Sequence, residues 1–152
     1  MISKEGLLVF AKCVLFCINE QPNVMFEGKL HKLLFCIQDY YYNEFQEPLL
    51  SITFKYSSYG PKVNNLLLLL SSLDEKELIK VKGSRFGTKI IPSIKIEKKD
   101  YSSKERIVLD IIMNRYGDWS ARKLSLSFFG DKTIKSKIEK LNSLCPCTSP
   151  YL

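Results

Sequence analysis

Residues 59–73 read YGPKVNNLLLLLSSL, with five consecutive leucines from Leu66 to Leu70. The run is either a short buried strand or a helix with more apolar surface than one face can hide. Val63, Leu66, Leu67, Leu70 and Leu73 fall at i, i+3, i+4, i+7 and i+10, the spacing of one helical stripe. Leucine is a strong helix former, and no β-branched residue follows Val63 within the run. Pro61 suits the first turn of a helix, where its missing N–H costs little. A helix over 61–73 is therefore expected, entered through a Gly60-Pro61 turn, with Asn64, Asn65, Ser71 and Ser72 on its polar side. Leu68 and Leu69 fall outside the stripe and widen the apolar arc. Either another element of the same chain covers them or a partner does, so Leu68 and Leu69 are the candidate partner-binding residues.

Upstream, Leu7, Leu8, Ala11, Val14, Leu15 and Ile18 repeat at helical spacing over 4–20, and Gln21-Pro22-Asn23 ends that helix. Glu5, Lys12 and the lack of a small-residue cleavage pattern argue for a helix and against a leader. A second helix is expected over 28–45, with Leu30, Leu33, Leu34, Ile37 and Tyr41 as its stripe. Pro48 marks a loop, and the β-formers of 51–56 a short strand.

Downstream of the leucines, β-forming residues on either side of GSRFG (83–87) predict a hairpin carrying Lys80, Lys82, Arg85 and Lys89. Pro92 puts its second strand at an edge or breaks it. Strand, helix and basic hairpin in this order read as a winged-helix element, whose wing would meet DNA phosphates or the minor groove. A solvated edge hairpin guarded by lysines accounts for the same pattern.

The last third is helical. Ser102 and Glu105 form a capping-box pattern, and Ile107, Val108, Ile111, Ile112 and Tyr116 give the expected core face. Gly117 is placed to end that helix in the left-handed conformation. A short helix follows with Ser120 as N-cap. Gly130 ends it, and Asp131 caps a final helix with Ile134, Ile138 and Leu141 inward. This is helix-turn-helix grammar. In a major groove Lys132, Thr133, Lys135 and Ser136 would lie nearest the bases, with Lys137 and Lys140 on phosphate. Three-helix packing with lysines outside is a generic alternative, and no Arg or Gln stands on this helix to read bases.

Charge is unevenly placed. Residues 1–76 hold 7 Lys and Arg against 8 Asp and Glu, while residues 77–152 hold 16 against 8. The excess of +8 in the second half fits either a polyanion-facing side or a solubilising surface. No apolar run approaches a membrane span. The five cysteines form no disulfide framework, which fits a reducing cytoplasm. Cys13, Cys17 and Cys36 read as small core side chains in preference to a zinc set with His31, which reads as a surface or half-buried side chain, and the Cys145-Pro146-Cys147 run as a tail tie or fortuitous thiols. There is no phosphate-binding glycine loop, zinc-protease motif or nucleophile elbow, so neither catalysis nor a cofactor is expected. Phe35 and the tyrosines at 40–42 read as core, and Trp119 as a packer of the helix junction.

Three stretches together resemble one family. GKLHKLLFCIQDYYY (28–42) is similar to a helix of Panacea-type domains. KYSSYGPKVNNLLLLL (55–70) resembles their Tyr-Gly-Pro turn before a helix, and SSKERIVLDIIMNRYGDWSARKLSLSFFGD (102–131) their closing helices. His31 stands where that first helix often has Gln, and SFFGD where the family commonly shows a Thr-His pair. The resemblance implies a mostly helical domain with winged-helix character. It also implies non-enzymatic regulatory roles: antitoxins, phage-associated proteins and a proteolytic adaptor. The motif positions Lys29, Leu30, Lys32, Leu33, Leu34, Tyr59, Gly60 and Pro61 are given architectural roles by this resemblance.

The expected molecule is one mainly α (α+β) domain over 1–152, with a basic hairpin and a helix-turn-helix-like end. Its expected function is non-enzymatic and antitoxin-like, through a protein partner such as a toxin. The alternative is a DNA-binding transcriptional regulator that uses the basic half. A homodimer fits either reading, and no membrane partner is expected.

Overall fold

The computed structural model describes residues 2–145. Its first helix carries too much apolar surface for one face, and the fold encloses it. Helix α1 (Lys4–Glu20) is capped by Ser3, whose hydroxyl accepts from the Gly6 amide at 3.0 Å. Phe10, Ala11 and every residue from Cys13 to Ile18 are buried. They pack among α2 (Glu27–Phe45), β5 (Gly87–Pro92) and α4 (Ser103–Tyr116). Leu8, expected in the buried stripe, is exposed, because the enclosure is complete only from Phe10 onward.

Helix α2 is the hub. Leu30, Leu33, Leu34 and Ile37 are fully buried, and α1, α4, α5 (Ala121–Ser127) and β3 (Gly60–Val63) all pack on it. Gln38, also fully buried, is satisfied by the following loop. Its Nε2 donates to the Leu50 carbonyl, and its Oε1 accepts from the Leu49 and Leu50 amides. A buried amide with its partners in place pins an irregular segment that has no ladder of its own.

Two small antiparallel sheets complete the layers. One runs β1 (Met25–Phe26), β5, β4 (Ile79–Ser84); the other pairs β2 (Phe54–Ser57) with β3. The β4–β5 hairpin is the basic one. Cross-strand pairing of Val81 with Ile90 turns those residues inward, so that Lys80, Lys82 and Lys89 share the outer face. Strand β5 is central, not an edge, and it ends at Pro92 where pairing stops.

The opening stretch folds differently from its helical spacing. Tyr56 pairs with Pro61 and Phe54 with Val63, so Tyr-Gly-Pro closes a hairpin and does not start a helix. The strand expected over 51–56 is β2, shifted to 54–57 by this pairing. A two-stranded sheet tolerates Pro61 because proline needs no donor on its open side. Asn65 then takes a left-handed conformation, φ 58°, and α3 (Leu66–Glu75) begins one residue later. Val63 remains buried, but as a strand residue, together with Leu66, Leu70 and Leu73. Leu67, assigned to the buried stripe, is 47% exposed, because the stripe narrows to a single i, i+4, i+7 row once the helix starts at 66.

The closing helices hold two further corrections. Helix α4 has the full capping box between Ser102 and Glu105, yet its inward face is Glu105, Val108, Leu109, Ile112 and Met113, and Ile107 is exposed. Glu105 turns in because Lys12 of α1 meets its carboxylate at 2.7 Å. Gly117 stays right-handed, φ −59°, so it does not end the helix through the left-handed region. It is small because a Cβ there would lie 2.5 Å from the Met113 carbonyl oxygen. Asp131 accepts from the Thr133 amide and hydroxyl, and α6 (Ile134–Leu144) starts only after that turn, with Ile134, Ile138 and Leu141 buried. Cys145 closes α6 and is buried; Pro146 and Cys147 lie outside the described residues. No helix among the described residues is long and apolar enough to cross a membrane.

Candidate functional site

Lys32 is the most unusual side chain of α2. It sits one turn after Gly28 on the same face, and only 2% of its surface is exposed. Its ammonium makes no hydrogen bond or ion pair among the described residues. Burial, and then the neighbouring Lys62 charge, push it down from 10.5 to about 8. A lysine held this way is costly to the fold, since a buried charge is normally paired.

Lys32 lies along a cavity of about 650 Å³ that opens to solvent between α2, the β2–β3 turn and α5. Two more cations line it, Lys62 of β3 and Arg122 of α5, and no carboxylate does among the described residues. Its rim is apolar: Tyr59 is 70% exposed, Leu126 is exposed, and Phe129 is 78% exposed.

Local structure explains each wall. Ser57 fixes the hairpin tip by donating to the Gly60 carbonyl at 2.7 Å and accepting from the Tyr59 amide at 3.2 Å, which leaves the Tyr59 ring outside. Gly60 takes φ 103°; a Cβ there would stand 3.3 Å from the Phe128 ring and 3.4 Å from Lys32 Cε. Glycine thus lets the lysine stem and Phe128 close on the turn from two sides. Phe128 in turn meets Phe35 edge-on at 5.8 Å. Helix α5 is set by its Ser120 cap and by Leu124, which is fully buried. Arg122, Ser125, Leu126 and Phe129 follow at i, i+3, i+4 and i+7, so one side of that segment lines the cavity.

Two ties lock the frame. Lys29 donates from Nζ to the Gly117 carbonyl at 2.7 Å and joins α2 to the end of α4. His31 accepts at Nδ1 from the Val63 amide at 2.9 Å. Burial, then the charges of Lys32, Lys62 and Lys55, lower the imidazole from 6.5 to about 4, so it is neutral at pH 7 and free to accept.

The motif residues named from the sequence therefore divide. Leu30, Leu33, Leu34, Pro61, Lys29 and Gly60 are buried in the frame, whereas Lys32 and Tyr59 face the cavity. The candidate nucleic-acid residues fall on two separate elements, which have α2 as a common neighbour. Lys80, Lys82, Arg85 and Lys89 are on the β4–β5 hairpin, which packs on α3, α1 and α2. Lys132, Thr133, Lys135, Ser136, Lys137 and Lys140 are on or just before α6, which packs on β2, β3 and α2. Thr133 is engaged by Asp131, Ser136 donates to the Thr133 carbonyl, Lys137 lies 3.7 Å from Asp39, and Lys140 stands over the Tyr42 ring. Leu68 is 69% exposed on α3, and Leu69 is half-buried against the core.

Sequence reasoning missed Lys62, Arg122, Leu126 and Phe129. The available signal was that each of the three family-like stretches carries a lysine or arginine within a few residues of an aromatic. The molecule is a mainly helical α+β protein in which those three stretches converge on one cation-lined cavity. The model of the antitoxin SocA-like Panacea domain matches residues 30–128, and the chain belongs to that family. No curated protein and no solved structure matches it significantly.

Proposed function

We propose that the chain is a non-enzymatic, antitoxin-like regulatory protein that acts by binding a protein partner, a toxin being the expected kind. The observation that carries this reading is the cavity rim. Tyr59, Leu126 and Phe129 stand exposed around one concavity, and aromatic anchors around a desolvated pocket are the usual centre of protein interfaces. Family membership supports it. Leu67 and Leu68 on α3 add a second exposed apolar place. A photo-crosslinking residue at Phe129, used in cells, tests the reading. The expected product is a covalent adduct with one protein, which then forms a defined complex with the purified chain and loses it on Phe129→Ala. Nucleic-acid adducts in place of protein, or a complex indifferent to that change, refute it.

A second reading rests on the β4–β5 hairpin. Lys80, Lys82 and Lys89 share its outer face and Arg85 marks its tip, the arrangement of a winged-helix DNA contact. The test is a salt titration of binding to random double-stranded DNA. Phosphate contacts predict a steep fall in affinity with salt; no binding at low salt removes this reading.

A further inference from the structure

We infer that the cavity is an acidic-residue pocket: it receives an Asp or Glu side chain of the partner on Lys32, Lys62 and Arg122, with a neighbouring apolar side chain against Tyr59, Leu126 and Phe129. The inference rests on the protein-binding reading above and adds the chemistry of what is bound.

Three observations lead there. A lysine 2% exposed, without a partner, on the wall of an open cavity is a charge whose counterion is supplied from outside. The fold carries this cost where methionine would fill the same space, so the charge is retained for something other than stability. The other two cations on the wall make no ion pair among the described residues either, and Lys62 is near enough to push Lys32 down, so the wall carries cations with no counter-charge.

The rest of the lining selects the kind of anion. Among the described residues no Asp, Glu, Asn or Gln lines the cavity, and the side-chain hydroxyls on it are those of Tyr59, Ser58 and Ser125. A nucleotide would find few acceptors there for its base N–H groups and ribose hydroxyls. A carboxylate beside a Leu or Phe needs only donors and apolar wall, which is what the lining supplies. A volume of about 650 Å³ fits two or three side chains, not a folded element, so the partner would enter with a loop or an extended end.

The experiment uses the full chain with 13C-labelled lysine. The probes are the peptide acetyl-Leu-Glu-Phe-amide, its Gln counterpart, and inorganic phosphate and ADP. The Glu peptide is expected to shift the Lys32 ε-methylene signal and to raise the pH at which it titrates. Replacing Glu by Gln, or Lys32 by Met, is expected to weaken binding by roughly tenfold to a hundredfold, the range for a hydrogen bond to a charged group. Arg122→Ala, on an exposed residue, repeats the test where folding is not at stake. Equal binding of the Glu and Gln peptides overturns the inference. So does unchanged binding by Lys32→Met and Arg122→Ala. Phosphate or ADP shifting Lys32 when the Glu peptide does not would assign the cavity to a phosphate ligand and equally overturn it. If crosslinking finds a protein at Phe129 while the peptide fails here, only the acidic chemistry falls; if the peptide binds and no protein is found, the partner reading falls instead.

Discussion

Replacing Lys32 by Met should make the protein more stable. The lysine stem packs beside Gly60 and the methionine chain follows nearly the same path, so the change removes the charge and keeps the contacts. The ammonium loses its proton near pH 8 in the folded chain and at 10.5 in the unfolded one. That interval corresponds to a ceiling of roughly 3 kcal/mol at neutral pH, and water in the open cavity reduces it to about 1–2 kcal/mol. The sign follows from proton counts. Between pH 8 and 10.5 the unfolded chain binds more protons, so wild-type stability rises with pH across that window. Urea unfolding of both proteins at pH 7 and at pH 10.5 reads the effect, and the difference between them cancels every shared titration. Lys32→Met is expected to be the more stable at pH 7 and nearly equal at pH 10.5. A gap that does not change with pH, or a variant less stable at both, would show that the lysine is already neutralised within the fold and refute the reasoning.

His31→Gln should remove an acid sensitivity: the imidazole contributes fully above pH 6.5, and its contribution is lost as pH falls towards about 4, where protonation blocks the acceptor for Val63 N–H. Thermal melts at pH 7 and pH 4.5 should show a larger drop for wild type than for His31→Gln; equal drops would sink this account. Gly60→Ala should cost about 1–3 kcal/mol, from a Cβ at positive φ against Phe128, and an unchanged urea midpoint would contradict it. Leu68→Asp should alter stability by less than about 0.5 kcal/mol, as a surface change does; unfolding would show that Leu68 is core.

Regular periodicity was the legible part of the fold. The α2 stripe, the capping box at Ser102 and the basic hairpin are written locally, in spacing and caps that tertiary packing does not overrule. The Tyr-Gly-Pro stretch was not, because its partner strand lies outside the window: Pro61 and Val63 satisfy helical spacing, yet Phe54 and Tyr56 recruit them into a hairpin. The left-handed Asn65 that separates strand from helix has no hydrophobic signature. The face of α4 is hidden from local pattern for a related reason: a carboxylate at 105 reads as polar, and its partner Lys12 lies far back in the chain. The cavity was least legible. The family resemblance gives Lys32 an architectural role, and no sequence pattern singles out Lys62 or Arg122. Only the closing of α5 over the hairpin turn makes them one site. Phe129 lies one residue beyond the matched range 30–128.

The all-round burial of α1 has a consequence for birth on the ribosome. This helix is made before the elements that close over it, and some of its ties come late. Tyr101 donates its hydroxyl to the Lys12 carbonyl at 3.0 Å, and Glu105 pairs with Lys12, across separations of 89 and 93 residues. At ordinary synthesis rates that gap takes roughly 5–20 s. Through that interval α2 and then β5 can pack on α1, but its contacts with Tyr101 and α4 are missing. The nascent chain would be open to chaperones and proteases then, and a steady supply of finished protein would depend on how quickly α4 arrives.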